Sequence, residues 1–116
     1  MDSTTAIERL NALAQTTRLG VFRHLVRAHP QPVSAGDLAQ AMGTPHNTMS
    51  THLAILARAR LATVSRRGRS MLYGADIDGF RDLVDFLTRD CCCGRREICA
   101  PILDALAPSP AQEAEA

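Results

Sequence analysis

The sequence predicts a mainly α-helical fold with one small β-hairpin. The chain has 116 residues, of which 46% are hydrophobic and 22% are charged, a composition typical of a single globular domain. It contains one Tyr, three Phe and no Trp, so its core must be aliphatic, which favours packed helices over a β-sandwich. Apolar residues recur every three or four positions along most of the chain and alternate only between residues 61 and 73.

Two helices are predicted in the first thirty positions. The first can be capped by a hydroxyl of residues 3–5, and its inner face is predicted to hold Ile7, Leu10, Leu13 and Ala14. The second starts at Thr16 or Thr17 and is ended by Pro30 and Pro32, because proline cannot continue a helix. Its inner stripe is predicted to hold Leu19, Phe22, Leu25 and Val26.

The next two helices predict a helix-turn-helix. Ser34 can cap a short third helix, and Gly43 is a good stop for it. The inward-facing residues of this helix are predicted to be Leu38, Ala39 and Met42. Thr44 is expected to cap a fourth helix, with Pro45 at the first helical position. That helix is predicted to run to about Arg60 on an apolar face of Met49, Leu53 and Leu56.

A basic hairpin and a last helix complete the predicted domain. Residues 61–65 and 70–73 alternate in polarity around the loop Arg66-Arg67-Gly68-Arg69, which indicates two short strands. A helix-turn-helix followed by such a hairpin is a winged helix. The last helix starts between Asp76 and Asp78 and continues in register to Cys91 on the stripe Ile77, Phe80, Leu83, Val84 and Leu87. We expect one domain over residues 1–107 and a disordered Pro-, Ala- and Glu-rich tail over residues 108–116.

Positive charge is concentrated in one part of this near-neutral chain. The net charge is +1, yet no acidic residue lies between Asp37 and Asp76. That stretch holds Arg58, Arg60, Arg66, Arg67 and Arg69. All 13 basic residues other than histidine are arginines, which suit forked contacts to phosphate and guanine. The pattern favours nucleic acid as partner, although one such run taken alone is usually a solvated face.

The fourth helix and the hairpin loop are the predicted DNA-reading elements. The helix carries small polar groups for the major groove at Asn47, Thr48, Ser50, Thr51 and His52. The loop is predicted to neutralise phosphates or to enter a minor groove through Arg66, Arg67 and Arg69. Because one recognition helix reads only a few base pairs, we expect a homodimer on a pseudo-palindromic duplex, with the first and last helices as dimer surfaces.

All four cysteines of the chain lie within nine positions, at Cys91, Cys92, Cys93 and Cys99. The N-terminus has no signal-peptide pattern, and no apolar run reaches membrane-spanning length, so we expect a cytoplasmic protein without membrane contact. Thiols stay reduced in that compartment, which leaves metal binding or redox sensing for the cluster. Cys91 lies seven positions after Val84 and is interpreted as a small buried hydrophobe on the same stripe.

Three segments resemble the ArsR/SmtB family of metal-responsive repressors. Residues 14–19, AQTTRL, are similar to the family's opening A-x-x-T-R-L, and residues 49–56, MSTHLAIL, are similar to its recognition helix V-S-x-H-L-x-x-L. Residues 66–73, RRGRSMLY, resemble its wing. Over roughly residues 7–99 the resemblance implies a homodimeric winged helix that binds operator DNA without metal and releases it with metal.

Two departures narrow the implied inducer. The third helix lacks the Cys-x-Cys of many arsenic sensors, and all four histidines precede the wing, which excludes a last-helix histidine site for zinc. The C-terminal cluster is similar to a Cys-Cys-x5-Cys arsenic(III) site, which implies Cys92, Cys93 and Cys99 as ligands and arsenic(III), or antimony(III), as inducer. A third departure is Arg60, which stands where the family usually has the glycine that ends the recognition helix.

Other functions remain open at this point. Four cysteines could hold zinc or cadmium, although three consecutive ligands suit a tetrahedral site poorly. Oxidation of the cluster could also release a repressor of the same fold. A thiol enzyme would need an active-site pocket and an anion-binding loop, neither of which is visible, so the chain is not expected to be an enzyme. The sequence does not reveal the operator, the regulated genes or the choice among arsenite, antimonite and methylarsenite.

Overall fold

The computed structural model describes residues 1–89 as five α-helices and three β-strands. The helices are α1 (Ser3–Leu13), α2 (Thr16–Ala28), α3 (Ala35–Met42), α4 (His46–Arg58) and α5 (Ile77–Arg89), and the strands are β1 (Val33–Ser34), β2 (Ala62–Arg67) and β3 (Ser70–Ala75). Residues 1–83 form one compact unit, and a second begins at Val84. The four cysteines, the predicted domain end at residue 107 and the predicted tail all lie outside the described residues.

The core of residues 1–83 is aliphatic, as the scarcity of aromatic residues predicts. Its fully buried large side chains come from α2, α3, α4, the residue before β2, and α5: Val21, Leu25, Leu38, Met49, Leu53, Leu56, Leu61 and Leu83. Phe22 and Phe80 form the one ring contact in the described part of the chain, with centroids 5.1 Å apart. None of the described helices is long and apolar enough to cross a membrane.

The inner face predicted for α1 is confirmed only at Leu13, which packs against the core, and is otherwise wrong by one position. The buried residues are Ala6, Arg9 and Ala12, whereas Ile7 and Leu10 are 56% and 41% exposed. The helix begins one residue after Asp2, whose carboxylate accepts from the Thr5 N–H at 2.8 Å in place of the predicted hydroxyl cap. The small alanines allow α1 to lie close to the core, and Ile7 and Leu10 are left on the outer face.

Helix α2 confirms only part of its predicted stripe. Phe22 and Leu25 are buried together with Val21, but Leu19 and Val26 are 45% and 40% exposed. Apolar spacing alone could not separate the two neighbouring faces, because apolar residues occupy both.

The helix-turn-helix is confirmed, with one different cap. Ser34 Oγ accepts from the Asp37 N–H at 3.1 Å, and Gly43 ends α3 in the left-handed region with φ 60°. Pro45, rather than Thr44, is the N-cap residue of α4, and it offers no side-chain acceptor. The Thr44 hydroxyl instead donates back to the Met42 carbonyl.

The hairpin belongs to a three-stranded antiparallel sheet of order β1-β3-β2. Strand β1 was not predicted, because two residues are too few to show an alternating pattern. It pairs Val33 with Tyr73 and Ser34 with Leu72. The segment that leads into α3 is therefore hydrogen-bonded to the wing strand.

Helix α5 starts directly against the end of α4. Arg60 follows that helix with φ 62°, the left-handed region that favours glycine. The Asp76 N–H donates to the Leu61 carbonyl at 3.0 Å, and its carboxylate accepts from the Gly79 N–H at 2.9 Å. Arg9, which is 5% exposed, donates from Nη1 to the Gly79 carbonyl at 2.7 Å.

Candidate nucleic-acid interface

Helix α4 has one apolar face and one polar face. Met49, Leu53 and Leu56 are completely buried and fix the helix to the core. The opposite surface exposes Asn47, Thr48, Ser50 and Thr51, as predicted. The hydroxyls of Ser50 and Thr51 donate to carbonyls one turn earlier, at 3.1 and 3.3 Å, so their lone pairs point outward as acceptors.

The wing presents its arginines at the turn between β2 and β3. Arg66 pairs with Met71 and Arg67 with Ser70, which places Gly68 and Arg69 at the reversal. Gly68 has φ 61°, a conformation that the turn requires and that glycine adopts without strain. The predicted wing arginines Arg66, Arg67 and Arg69 are all exposed.

The recognition helix and the wing border the same cavity. Ser50 and His46 line it from α4, while Arg69, Ser70 and Tyr73 line it from β3 and the turn. The structure therefore brings the two predicted reading elements together on one side of the domain. Tyr73 also packs against the core.

His52 differs from the other predicted reading residues of α4. It is half-buried, and its Nδ1 lies 3.2 Å from Arg18 Nη1. Arg18 also donates from Nε to the Ala12 carbonyl at 2.7 Å, so one guanidinium joins the C-terminal end of α1 to α4. Since arginine can only donate, Nδ1 of His52 accepts and the ring proton lies on Nε2. The structure thus gives His52 a positioning contact, and its partner Arg18 was not predicted from the sequence.

The buried contact lowers the pKa of His52 below its ordinary value of 6.5, through burial first and the Arg18 charge second. The folded chain therefore binds the proton less readily than the unfolded chain, and stability falls as pH drops below 6.5 towards the folded pKa. We expect His52→Gln to flatten the pH dependence of urea unfolding between pH 7.5 and pH 5. His29→Gln, which changes an exposed histidine, should keep the wild-type slope. An equally steep profile for His52→Gln would contradict this effect.

The described residues contain no metal site. No group of three or more His, Cys, Asp or Glu side chains within residues 1–89 could hold a metal ion. The predicted ligands Cys92, Cys93 and Cys99 lie outside those residues. Metal sensing by the described part of the chain is therefore not supported by any cluster of suitable ligands.

Known proteins resemble both the sequence and the fold. A helix-turn-helix domain family matches residues 13–65. The HTH-type transcriptional regulator KmtR of Mycobacterium tuberculosis (strain ATCC 25618 / H37Rv) is 33% identical over 78 residues. That match takes in 67% of this chain and 58% of KmtR, so the chain spans less than two thirds of its relative's length.

Two solved structures extend the comparison to the fold. The homodimeric winged helix-turn-helix domain of Mb0332 from Mycobacterium bovis, a possible ArsR-family regulator, has a TM-score of 0.61 and 20% identity, over 80% of this chain and 84% of that domain. The antimony-specific transcriptional repressor AntR has a TM-score of 0.55 and 29% identity, over 70% of this chain and 72% of AntR. The winged helix-turn-helix fold is confirmed, and KmtR and AntR are transcriptional regulators, in agreement with the expectation that the chain is not an enzyme.

Proposed function

Because the chain carries a winged helix-turn-helix shared with transcriptional regulators, we propose that it is a DNA-binding repressor of the ArsR/SmtB type. The observation that carries this function is the pairing of an exposed polar helix face with an arginine wing. Asn47 and Thr51 on α4 and the wing arginines lie on elements that border one cavity. No acidic residue occurs between Asp37 and Asp76, so this stretch offers donors and positive charge to a polyanion.

The repressor is proposed to act as a homodimer on pseudo-palindromic operator DNA. Ile7 and Leu10 leave an apolar strip on the outer face of α1, where a second protomer can cover it. The homodimeric Mb0332 domain supports this assembly by its similar fold. Two recognition helices then reach two half-sites, and their separation depends on how the protomers meet.

The proposed inducer is arsenic(III), with antimony(III) as a second ligand of the same chemistry. Cys92, Cys93 and Cys99 can supply three sulfurs, and trivalent arsenic prefers three thiolates because its lone pair occupies the remaining direction. Arsenous acid exchanges its three hydroxyls for three thiol sulfurs and releases three water molecules. The similarity to the antimony-specific repressor AntR supports a metalloid inducer of this kind.

Binding of the inducer is proposed to lower the affinity for DNA through α5. The described part of α5 ends at Arg89, two positions before Cys91, so the ligand cysteines follow this helix closely in the chain. If the last helix builds part of the dimer surface, a change at its end alters the half-site spacing. Thermodynamic linkage then requires DNA to weaken arsenite binding by the same factor, and a coupling of about 1–3 kcal/mol is ordinary for such switches.

Release of bound DNA by arsenite tests the proposal. A duplex selected by the wild-type chain from a random pool is labelled and titrated with arsenite, antimonite, zinc or hydrogen peroxide. We expect arsenite to release the wild-type chain and the Cys91→Ser control, but not the variant Cys92→Ser/Cys93→Ser/Cys99→Ser. Release of the triple variant by arsenite would overturn the ligand assignment. Release by zinc that weakens from pH 8 to pH 6, or by peroxide alone, would instead identify a zinc or redox sensor.

A further inference from the structure

A cavity of about 340 Å³ lies between the wing and the start of the recognition helix. It is lined by three groups of residues: Ser34, Ala35 and Gly36 at the start of α3, His46 and Ser50 on α4, and Arg69, Ser70, Met71 and Tyr73 on the wing. None of these lining residues is acidic. We call this feature the wing cavity.

Arg69 gives the wing cavity an available positive charge. Its side chain is exposed and makes no hydrogen bond or ion pair with any other residue among positions 1–89. Arg66 differs in this respect, because its Nε donates to the Gly68 carbonyl at 3.3 Å. An arginine on a wall without carboxylates is suited to a phosphate, which it can grip with two parallel donors.

Two further kinds of donor border the same space. Helix α4 begins at His46, and Pro45 provides no side-chain cap, so the N–H groups of His46 and Asn47 face the positive end of the helix dipole without a cap, whereas the Thr48 N–H donates to Asn47 Oδ1 at 2.9 Å. Ser34 Oγ already accepts from the Asp37 N–H, which leaves its own O–H free to donate. The Nε2 atom of His46 lies 3.8 Å from the position of a Cβ on Gly36, so the ring lies against the start of α3 at the cavity wall.

We propose that the wing cavity binds one phosphate group of the DNA backbone, with Arg69 as its main ligand and His46 and Ser34 as further donors. This inference rests on the proposed DNA-binding function and adds a defined anchoring point to it. A backbone phosphate fits better than a free phosphorylated molecule, because both walls belong to the elements that meet DNA. A phosphate held here fixes the angle at which α4 enters the major groove.

Neutralising single phosphates in the selected duplex tests the inference. Methylphosphonate is placed at each backbone position in turn, and binding is measured for the wild-type chain, Arg69→Gln and Arg67→Gln. For the wild type we expect a loss of roughly tenfold at the anchoring position, as suits one charge-assisted hydrogen-bonded contact. Arg69→Gln should bind the duplex less tightly, and methylphosphonate at the anchoring position should weaken its binding no further. The matched wing variant Arg67→Gln should also bind the duplex less tightly, but methylphosphonate at that position should still cost it about tenfold in affinity.

A titration with inorganic phosphate distinguishes a DNA backbone phosphate from a free phosphorylated molecule as the ligand of the wing cavity. Backbone amide signals of the full-length chain are followed in NMR spectra during phosphate titration, with chloride at equal ionic strength as reference. Weak shifts at Gly36, Ser50 and Ser70 that vanish in Arg69→Gln support the site.

Three results overturn the inference. In the first, the chain binds inorganic phosphate tightly, and Arg69→Gln is as sensitive to methylphosphonate as the wild type at every position. That result assigns the cavity to a free phosphorylated molecule. In the second, methylphosphonate weakens duplex binding by Arg69→Gln at every position where it weakens binding by the wild type. That result overturns the anchoring contact and leaves the proposed DNA-binding function intact. A wild-type chain that binds no duplex overturns that function and this inference together.

Discussion

Replacing Gly79 by alanine is expected to destabilise the chain by roughly 3 kcal/mol, at the upper end of overpacking effects. A Cβ at this position would lie 1.8 Å from the Arg60 carbonyl oxygen and 2.9 Å from its carbon. Both atoms belong to the backbone, so no side chain can move aside. Shifting α5 instead would disturb the hydrogen bonds that Gly79 makes with Asp76 and Arg9. Urea unfolding followed by circular dichroism at one fixed protein concentration measures the loss.

Gly36→Ala is the matched control for this substitution. Gly36 is also helical, but a Cβ there would meet only His46 Nε2, at 3.8 Å, an ordinary contact. Because alanine favours a helix over glycine, Gly36→Ala should be neutral or stabilising by up to about 1 kcal/mol. If Gly79→Ala were as stable as Gly36→Ala, α5 would not start against Arg60 as described.

Leu53→Ala is expected to cost about 3 kcal/mol, within the range for deleting a buried leucine side chain. Leu53 is 0% exposed and lies at the centre of the apolar face that holds α4 on the core. Its removal leaves a cavity between Met49 and Leu56, both completely buried. The same unfolding experiment measures the cost, and weaker DNA binding should accompany it because the position of the reading face depends on this anchor.

Leu19→Ala provides the comparison for Leu53. It removes the same atoms from a leucine that is 45% exposed on α2, so the cost should stay below about 1 kcal/mol. Equal destabilisation by the two substitutions would contradict the assignment of Leu53 to the core and Leu19 to the surface.

The helix-turn-helix and the wing could be predicted from local signals. Ser34 and Gly43 mark the ends of α3 by their own hydrogen bonds and dihedral angles. Alternating residues around Gly68 likewise predict the hairpin. These signals lie within a few residues of the element that they define, which is why the printed sequence contains them.

Features that depend on contacts distant in sequence could not be predicted in this way. The inner face of α1 includes the buried Arg9, whose partner is the carbonyl of Gly79, 70 positions later. The contact between Arg18 and His52 spans 34 positions. Strand β1 forms only because the wing strand lies beside it. The reading residues of α4 were found by their polarity, whereas the positioning role of His52 depends on where α1 and α2 meet.

The pairing of β1 with β3 has a mechanical consequence for recognition. Through Val33 and Ser34 the base of the wing is hydrogen-bonded to the residue that caps α3, which ties the hairpin to the helix-turn-helix within one protomer. In the proposed dimer, an inducer that acts through α5 is therefore expected to change the separation between the two protomers' DNA-reading surfaces, and not the arrangement of α4 and the wing within either of them.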